Sequence, residues 1–412
     1  MGTFPAITEA DGALSVTGMA KEVGGYGVPA VATNFLPNTG NTMEVDPGWF
    51  SPTLMMGIRD KQVYNLQGEE SHAGALDGPI FPSNAMPLLV ASIGADGLPG
   101  AGVTGAAATS ATVITAAVTA GTNTFTLSSP SGYAVGSYIQ LDVNGTGPTT
   151  TSECRLIKTL SGSSGTVDTN WVYGHLVNAP VHVVTAPFTH SISQQNSLPS
   201  LTVEKNIGNV QSLQWAGSRV NKLDLKMPVG NEACSLTADM MAQSVAILDT
   251  PTGVNVTPEL PFVFTEASVS FYGSQRFESA NLTVSIDNAL KGTWTYSGNH
   301  GPSFITPVSL HVSGTIDVVW SSLNDSTYGD FTTYENLTLG ALSVAFTHPG
   351  GSGYSVTFTC PQVVLTKYAN DVKFDDIIMS SFSFEASRPL TGGSQYTIQA
   401  VVVNGVSTAY TG

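Results

Sequence analysis

Few residues in this chain have types and spacings that could perform chemistry. The run Gly100-Ala101-Gly102-Val103-Thr104-Gly105 matches the G-x-G-x-x-G pattern of dinucleotide-binding loops. Such a loop needs a helix after it and an acidic residue about 20 residues further on, which binds the ribose. Here a Thr- and Ala-rich stretch follows, and the next acidic residue is Asp142. We therefore interpret the run as a flexible hinge rather than a cofactor site.

Acidic pairs are the second candidate, because two carboxylates can hydrolyse a glycosidic bond or bind calcium. Pairs occur at Glu69-Glu70 and Asp375-Asp376, and a third group lies in the loop 324–330. Neighbouring residues of an extended chain point to opposite faces. Solvated loops are therefore the favoured interpretation, and a cation site in 324–330 is the alternative.

The histidines and cysteines form no recognisable ligand set. The histidines are dispersed, which predicts surface or strand-edge positions for all seven: His72, His175, His182, His190, His300, His311 and His348. Cys154, Cys234 and Cys360 lie far apart and outside any zinc-binding spacing, so we predict buried free thiols. We accordingly predict no catalytic residue, no cofactor and no metal.

The charge of the chain excludes further classes of function. Its 412 residues carry a formal net charge of −16, from 14 Lys and Arg against 30 Asp and Glu. So few basic residues argue against a nucleic-acid-binding surface. No apolar stretch approaches the ~20 residues of a membrane span. The first residues lack the pattern of a secretory signal, so we expect synthesis and assembly in the cytoplasm.

The elements that must position these residues are predicted to be almost all β. Residues 1–106 are rich in Gly, Pro and Asn and are expected to form an arm and the first part of a larger domain, with a short helix within 82–93. A small-residue linker is predicted at 106–111. Short alternating strands separated by turn residues follow, so residues 107–186 are interpreted as an inserted small β-barrel or sandwich.

Residues 187–412 carry the clearest period-2 patterns and are predicted to form the main β domain. Apolar residues alternate with Ser, Thr and an occasional acid, which is typical of sheets with one buried and one wet face. The stretches 237–249 and 370–380 are helix candidates that are ambiguous with strand. A faint echo between Leu201–Asn206 and Leu282–Asp287 leaves open whether this part is one unit or two, about 187–260 and 261–412.

Two consecutive segments of this part carry a family resemblance. The first segment is Leu198-Pro199-Ser200-Leu201-Thr202-Val203-Glu204-Lys205, and the second is Trp215-Ala216-Gly217-Ser218-Arg219-Val220-Asn221-Lys222-Leu223-Asp224-Leu225. Both resemble strands of the tail tube (major tail) proteins of long-tailed, siphovirus-like bacteriophages. The segments 21–27, 78–94, 285–288 and 334–386 are similar to other parts of that family. The resemblance omits the insertion, which is similar to small β modules of phage virion proteins.

The resemblance implies an all-β fold, a tail-tube β-sandwich that contributes strands to a ring-closed barrel and that carries the small inserted domain 107–186 on its outside. It implies a structural virion protein that self-assembles into stacked rings, forming the hollow tail tube through which the genome passes. One tube unit per chain would give hexameric rings, and a duplicated unit would give trimers. Implied partners are other copies of the chain and the tape measure, terminator and tip proteins. The implied location is the virion tail, after assembly in the host cytoplasm.

The scarcity of positive charge then suggests a hypothesis about DNA passage. Each Lys or Arg on a channel wall would bind a phosphate and release counterions, whereas hydroxyls and sparse acids would let DNA slide. The candidates for lumen-facing acids are Asp224, Asp287, Asp317 and Glu385, with exposure to outer solvent as the alternative. A different class of function also stays open, a host-binding or adhesive β-rich surface protein whose insertion recognises a glycan.

Overall fold

The computed structural model describes residues 12–52, 65–96, 104–144, 147–168, 170–171, 173–296, 298–321, 327–348, 353–372, 377–391, 395–407 and 410, with only the backbone for 104–111, 142–144, 147–151 and 371. These residues are mostly β-strand, as predicted. Two helices are described, α1 (Met86–Ile93) and α2 (Asp330–Glu335), with 3-10 turns at Gly12–Leu14 and Phe264–Glu266. The strands are β1 (Val16–Lys21), β2 (Asn34–Leu36), β3 (Gly40–Asn41), β4 (Glu44–Asp46), β5 (Trp49–Phe50), β6 (Leu66–Gln67), β7 (Ser71–Pro79), β8 (Gly94–Asp96), β9 (Thr104–Val113), β10 (Thr124–Thr126), β11 (Tyr138–Asn144), β12 (Gly147–Ser161), β13 (Ser164–Val167), β14 (Pro180–Gln194), β15 (Leu201–Ile207), β16 (Gln211–Met227), β17 (Ser235–Ala242), β18 (Ser244–Leu248), β19 (Ala267–Phe271), β20 (Ser274–Gln275), β21 (Ser279–Asp287), β22 (Leu290–Thr293), β23 (Phe304–Pro307), β24 (His311–Val319), β25 (Gly340–Thr347), β26 (Ser355–Asp371), β27 (Met379–Ala386) and β28 (Gln399–Asn404).

Local patterns predicted some elements and misassigned others. Helix α1 is confirmed: its residues are buried and Pro87 lies in the first turn, where a missing N–H is tolerated. The helix candidate 237–249 is wrong, because it forms strands β17 and β18. The predicted linker 106–111 lies within strand β9, which pairs with β14. Of the other helix candidate, 370–380, residues 373–376 lie outside the described residues, and its ends belong to β26 and β27.

The chain divides into two compact units that both draw on distant parts of the sequence. Unit 1 comprises the described residues of Met1–Ser92, Asn196–Pro261 and Asn281–Thr315. Unit 2 comprises those of Ile93–Gln195, Phe262–Ala280 and Ile316–Gly412. The predicted division into 1–106, 107–186 and 187–412, and the subdivision near 260, stay predictions.

Unit 1 is built around the long strand β16, which takes part in two antiparallel sheets. Its first half pairs with β15 and β18, and β15 pairs in turn with β1 and β1 with β2. Its second half pairs with β17 and β21, and β17 pairs with β7, which also pairs with β3 and β4. Between the halves lies Gly217 with a φ of 66°. A side chain there would meet Gln243, so the change of sheet requires glycine at this position.

The second sheet of unit 1 buries one face and leaves the other partly open. Leu223, Leu225, Leu236, Val284 and Ile286 alternate with polar residues and are buried. Burial of each such side chain contributes roughly 1.5–3 kcal/mol. This alternation fixes which residues lie on the opposite, polar face.

Unit 2 is built around two long strands, β14 and β26, which each pair with several other strands, as β16 does in unit 1. The second half of β14 pairs with β8 and β28, β28 pairs with β26, and β26 pairs with β25, which pairs with β19. The first half of β14 pairs with β9 and β11, and β12 and β13 extend this side. Residues between Ile114 and Val181, among them Phe125, Leu141 and Trp171, form a hydrophobic core of their own. Phe188, on the second half of β14, belongs to a separate small cluster.

The same order of paired strands occurs twice along the chain. Strands β1, β2, β15, β16, β17 and β18 pair with one another as β19, β20, β25, β26, β27 and β28 do. The central strands, β16 and β26, each have 17 residues. A helix also precedes β15 and β25 in the chain. Helix α1 comes before β15, with β8 to β14 between them, and α2 comes directly before β25.

Irregularities in register repeat as well. Where β15 pairs with β16, Leu201 lies opposite Ser218 and Val203 lies opposite Trp215, so β16 has one extra residue at this point. Where β25 pairs with β26, Gly340 lies opposite Val363 and Leu342 lies opposite Cys360, so β26 has one extra residue at the equivalent point. A second irregularity skips Asn221 between β16 and β17, and Thr366 between β26 and β27.

Matched bulges are specific features of a fold. They show that β16 and β26 are equivalent strands, with Lys222 matching Lys367. The equivalent of β15 is therefore β25, and not β21, the strand that the sequence echo at Leu282 had matched to it.

Candidate functional site

The polar face of the second sheet in unit 1 collects acidic side chains from four strands. Cross-strand neighbours share a face, and so do residues two apart on one strand. Lys222 on β16 lies opposite Asp239 on β17 and opposite Asp287 on β21. Asp224 lies opposite Thr237, which lies opposite Asp77 on β7. We call Asp77, Lys222, Asp224, Asp239 and Asp287 the acidic row.

The acidic row has more negative charge than its single cation can neutralise. Lys222 donates a hydrogen bond from Nζ to Asp224 Oδ2 at 2.8 Å, and this bond is the main reason that its pKa is raised. The hydroxyl of Thr237 donates to Asp77 Oδ1 at 2.6 Å. Burial, followed by the repulsion of Asp224, raises the pKa of the Asp239 carboxyl, and Lys222 offsets part of the shift. The row is therefore an anionic, hydroxyl-lined surface in which Lys222 is engaged. The exposed Lys226, two residues after Asp224 on β16 and opposite Ser235, adds a second cation to the same face.

The four predicted lumen candidates separate into two groups. Asp224 and Asp287 are brought together in the acidic row of unit 1. Asp317 on β24 is half-buried and Glu385 on β27 is exposed, and both belong to unit 2. Whether any of the four faces a lumen stays a prediction.

Sequence reasoning missed Asp77 and Asp239. The signal for Asp239 was present, because Ser235, Thr237 and Asp239 alternate with the buried Leu236 and Ala238. It was lost in the ambiguity between strand and helix at 237–249. For Asp77 no local signal existed, since its place in the row depends on β7 pairing with β17.

Three histidines do not have the exposure expected of the predicted surface or strand-edge positions. His72, His175 and His190 are buried. His190 Nδ1 lies 2.7 Å from Asp96 Oδ2, and its Nε2 lies 2.9 Å from the carbonyl oxygen of Val406. His175 Nε2 lies 3.1 Å from Glu153 Oε1. Buried imidazoles need such partners, and a single-sequence pattern does not reveal partners that are distant in sequence.

His72 has a different environment. Burial lowers its pKa, and Glu70, 3.9 Å away, only partly offsets this effect. The neutral imidazole is therefore the favoured form inside unit 1.

The other predicted sites give no ligand cluster. Asp330, at the end of the loop 324–330, is buried and ion-paired with Arg276, whose guanidinium also lies over the ring of Tyr328. That loop is thus not simply solvated. Three predicted segments lie outside the described residues: 324–326 of this loop, the pair Asp375-Asp376, and residues 100–103 of the glycine-rich run. In the described part of the chain, no group of three or more His, Cys, Asp or Glu could hold a metal ion.

The three cysteines are buried and free, as predicted. Burial raises the pKa of Cys154 and of Cys360 to about 12. These thiols are therefore held in their unreactive protonated form.

Glu22 is a buried carboxylate that sequence reasoning did not single out. Its Oε2 accepts hydrogen bonds from the Gly27 N–H at 2.8 Å and the Ser200 hydroxyl at 2.6 Å. Its Oε1 accepts from the Gly217 N–H at 2.7 Å and the Thr202 hydroxyl at 3.1 Å. The side chain thus connects the segment after β1 to β15 and to the bend of β16.

The sequence matches the family profile described as phage tail tube protein over residues 12–386. The chain belongs to the phage tail tube protein family. The resemblance inferred from Leu198–Lys205 and Trp215–Leu225 is thereby confirmed, and the matched range also spans residues 107–186. No curated protein matches the chain.

Membership of the phage tail tube family identifies the chain as a structural, β-rich component of the virion tail, which assembles with other tail proteins. None of the described helices has the length and apolar character needed to cross a membrane.

Proposed function

We propose that the chain self-assembles into stacked rings, which form a hollow tube through which the phage genome passes to the host. The acidic row of unit 1 is the observation that carries this proposal. On this wall of hydroxyls and carboxylates, Lys222 is already bound to Asp224, and the exposed Lys226 is the other lysine of the same strand face. The wall therefore presents few sites at which a phosphate could replace a counterion. Duplex DNA would then slide past this wall rather than bind to it.

The repeated strand pattern supports a duplicated tube unit in each chain. Two equivalent units per chain would place a pseudo-twofold repetition within every subunit. A trimer would then supply six tube units to a ring-closed barrel. In this proposal the tube assembles in the host cytoplasm together with the tape measure, terminator and tip proteins. The hydrophobic core between Ile114 and Val181 supports an insertion at about 107–186 that folds as a module. In this proposal the module lies on the outside of the tube.

Charge reversal on the proposed inner face tests the passage of DNA. The variant is Asp224→Lys, which adds two positive charges per subunit. The matched control adds the same charge to the proposed outer module by Ala116→Lys with Ala117→Lys, both at exposed positions. Every new phosphate contact adds about 0.9 to the slope of log affinity for DNA against log salt concentration.

Both variants are expected to form tubes in negative-stain electron microscopy. Phages carrying Asp224→Lys should deliver their genome more slowly, most markedly at low salt, while the control phages deliver at the normal rate. Equal rates of genome delivery by the two variants would contradict a position of the acidic row on the lumen wall. A wild-type chain that forms soluble trimers and binds host cells, without rings or tubes, would favour the adhesive function instead.

A further inference from the structure

The outer edge of strand β16 in unit 1 is covered by a strand from a later part of the chain. β21 pairs antiparallel with the second half of β16, with Lys222 opposite Asp287, Leu223 opposite Ile286 and Asp224 opposite Ser285. In chain order β21 lies within the second copy of the repeated pattern, between β20 and β24. The first copy thus has its edge completed by a strand of the second copy.

The equivalent edge in unit 2 has no such cover among the described residues. The second half of β26 pairs on one side with β27, from Val363 opposite Ala386 to Asp371 opposite Met379. On the other side, the described strand pairing ends with β25 at Val363. Helix α2 contacts the side chains of β26 rather than its backbone edge, since Tyr334 and Phe331 pack on the ring of Tyr368. Among the described residues, no strand pairs with this second edge of 367–370. Such an edge favours pairing with another chain.

The first copy contains a strand segment equivalent to β21 that has one edge without a described partner strand. Thr42-Met43-Glu44-Val45-Asp46 corresponds to Thr283-Val284-Ser285-Ile286-Asp287, with an identical residue at each end. Both segments precede a two-stranded hairpin, β5 with β6 and β22 with β23. Both place an apolar residue in the core, since Met43 and Val284 are each 2% exposed. On one side β4 pairs with β7, and no described strand pairs with its other side. There the Met43 N–H donates to Asn41 Oδ1 at 3.1 Å and the Met43 carbonyl oxygen accepts from Lys205 Nζ at 3.4 Å, two side-chain contacts that an added strand would replace.

We propose that the segment Thr42–Asp46 of one subunit adds to the open edge of β26 in a second copy of the same chain. The register follows from the equivalence of the two patterns: Lys367 opposite Asp46, Tyr368 opposite Val45, Ala369 opposite Glu44 and Asn370 opposite Met43. Lys367 and Asp46 are both exposed in the single chain, and their opposite charges repeat the pairing of Lys222 with Asp287. This joint deepens the proposed ring assembly and rests on it.

The joint is heterologous, because the segment and the edge that receives it are different surfaces. A heterologous contact propagates from one subunit to the next and closes into a ring when its rotation allows. Each ring would then alternate the joint inside a chain, β16 with β21, with the joint between chains, β26 with the segment 42–46. The open edges would be used up by assembly.

A charge exchange tests the register. Lys367→Glu would face Glu44 and Asp46 and should lower the yield of tubes about tenfold, because like charges on paired strands repel at every joint. Asp46→Lys should do the same, and the double exchange Lys367→Glu with Asp46→Lys should restore assembly. Lys291→Glu, at another exposed lysine, is the matched control and should assemble normally. Circular dichroism of each unassembled variant verifies its folding.

Cysteine cross-linking tests the same joint without relying on charge. Ala369→Cys with Glu44→Cys places two thiols directly opposite each other, and mild oxidation should give a ladder of covalent oligomers that ends at the ring size. Ala369→Cys with Val45→Cys places them on opposite faces and should give none. The native cysteines are buried and do not interfere.

Failure of this joint and failure of ring assembly give different results. Wild-type rings that contain no cross-link at 44 and 369, and that tolerate Lys367→Glu, would overturn the joint and leave the tube function intact. Absence of any wild-type ring or tube would overturn both.

Discussion

Replacement of Glu22 by glutamine should destabilise unit 1 by about 2–4 kcal/mol. The carboxylate accepts hydrogen bonds from two backbone N–H groups and two hydroxyls, and it is 6% exposed. A glutamine side chain presents an NH2 group in place of one oxygen. Either the Gly27 N–H or the Gly217 N–H then loses its acceptor and faces another donor. The hydroxyls of Ser200 and Thr202 can rotate, but a backbone N–H cannot.

The expected magnitude follows from these contacts. A hydrogen bond to a charged group contributes about 1.5–3 kcal/mol, and a buried donor without a partner costs about 1–3 kcal/mol. Relaxation of the loop after Glu22 would recover part of that cost. The consequence for the fold is specific, because Gly217 marks the bend at which β16 passes from one sheet to the other.

Urea unfolding of unassembled subunits measures this effect, with tryptophan fluorescence as the signal because Trp215 is fully buried beside the bend. The matched control is Glu259→Gln, since Glu259 is half-buried and accepts one hydrogen bond from the Ser83 N–H at 2.9 Å. The control should lose less than about 1 kcal/mol. Equal losses in the two variants would show that Glu22 does not hold the bend.

Two further predictions concern charges in the two units. Asp239→Asn should raise the melting temperature of the free subunit at pH 7, because burial and Asp224 raise the pKa of this carboxyl and its ionised form disfavours the fold. The gain should shrink as pH falls through that raised pKa, where the wild-type carboxyl takes up a proton; a gain that does not depend on pH would contradict the assignment. Asp330→Asn leaves the Arg276 guanidinium buried with Glu278 as its remaining acidic partner and should cost about 3 kcal/mol in urea unfolding. The exposed Glu335→Gln on the same helix should cost almost nothing, and equal stability of these two variants would count against the ion pair.

The class of the fold and the family could both be predicted from the amino-acid sequence. Alternation of apolar with hydroxyl residues predicts strands with one buried face, and strands such as Ser355–Asp371 and Met379–Ala386 confirm it. The free, buried state of the cysteines followed from their number and spacing. The segments around Leu201 and Leu223 were sufficient to indicate a tail tube protein. All of these signals are local, because period and turn chemistry act over a few residues.

The pairing of the strands and their register could not be predicted from the sequence and depend on the folded chain as a whole. Asp77 joins Asp224 in one row only because β7 pairs with β17, and the burial of His190 depends on Asp96 and Val406, far away in sequence. The repeated pattern was likewise hidden, since the equivalent strands β15 and β25 share pairing and bulges rather than residues. Cross-strand hydrogen bonds join backbone groups, which are the same in nearly every residue, so the identity of a partner strand is set by the packing of the whole unit.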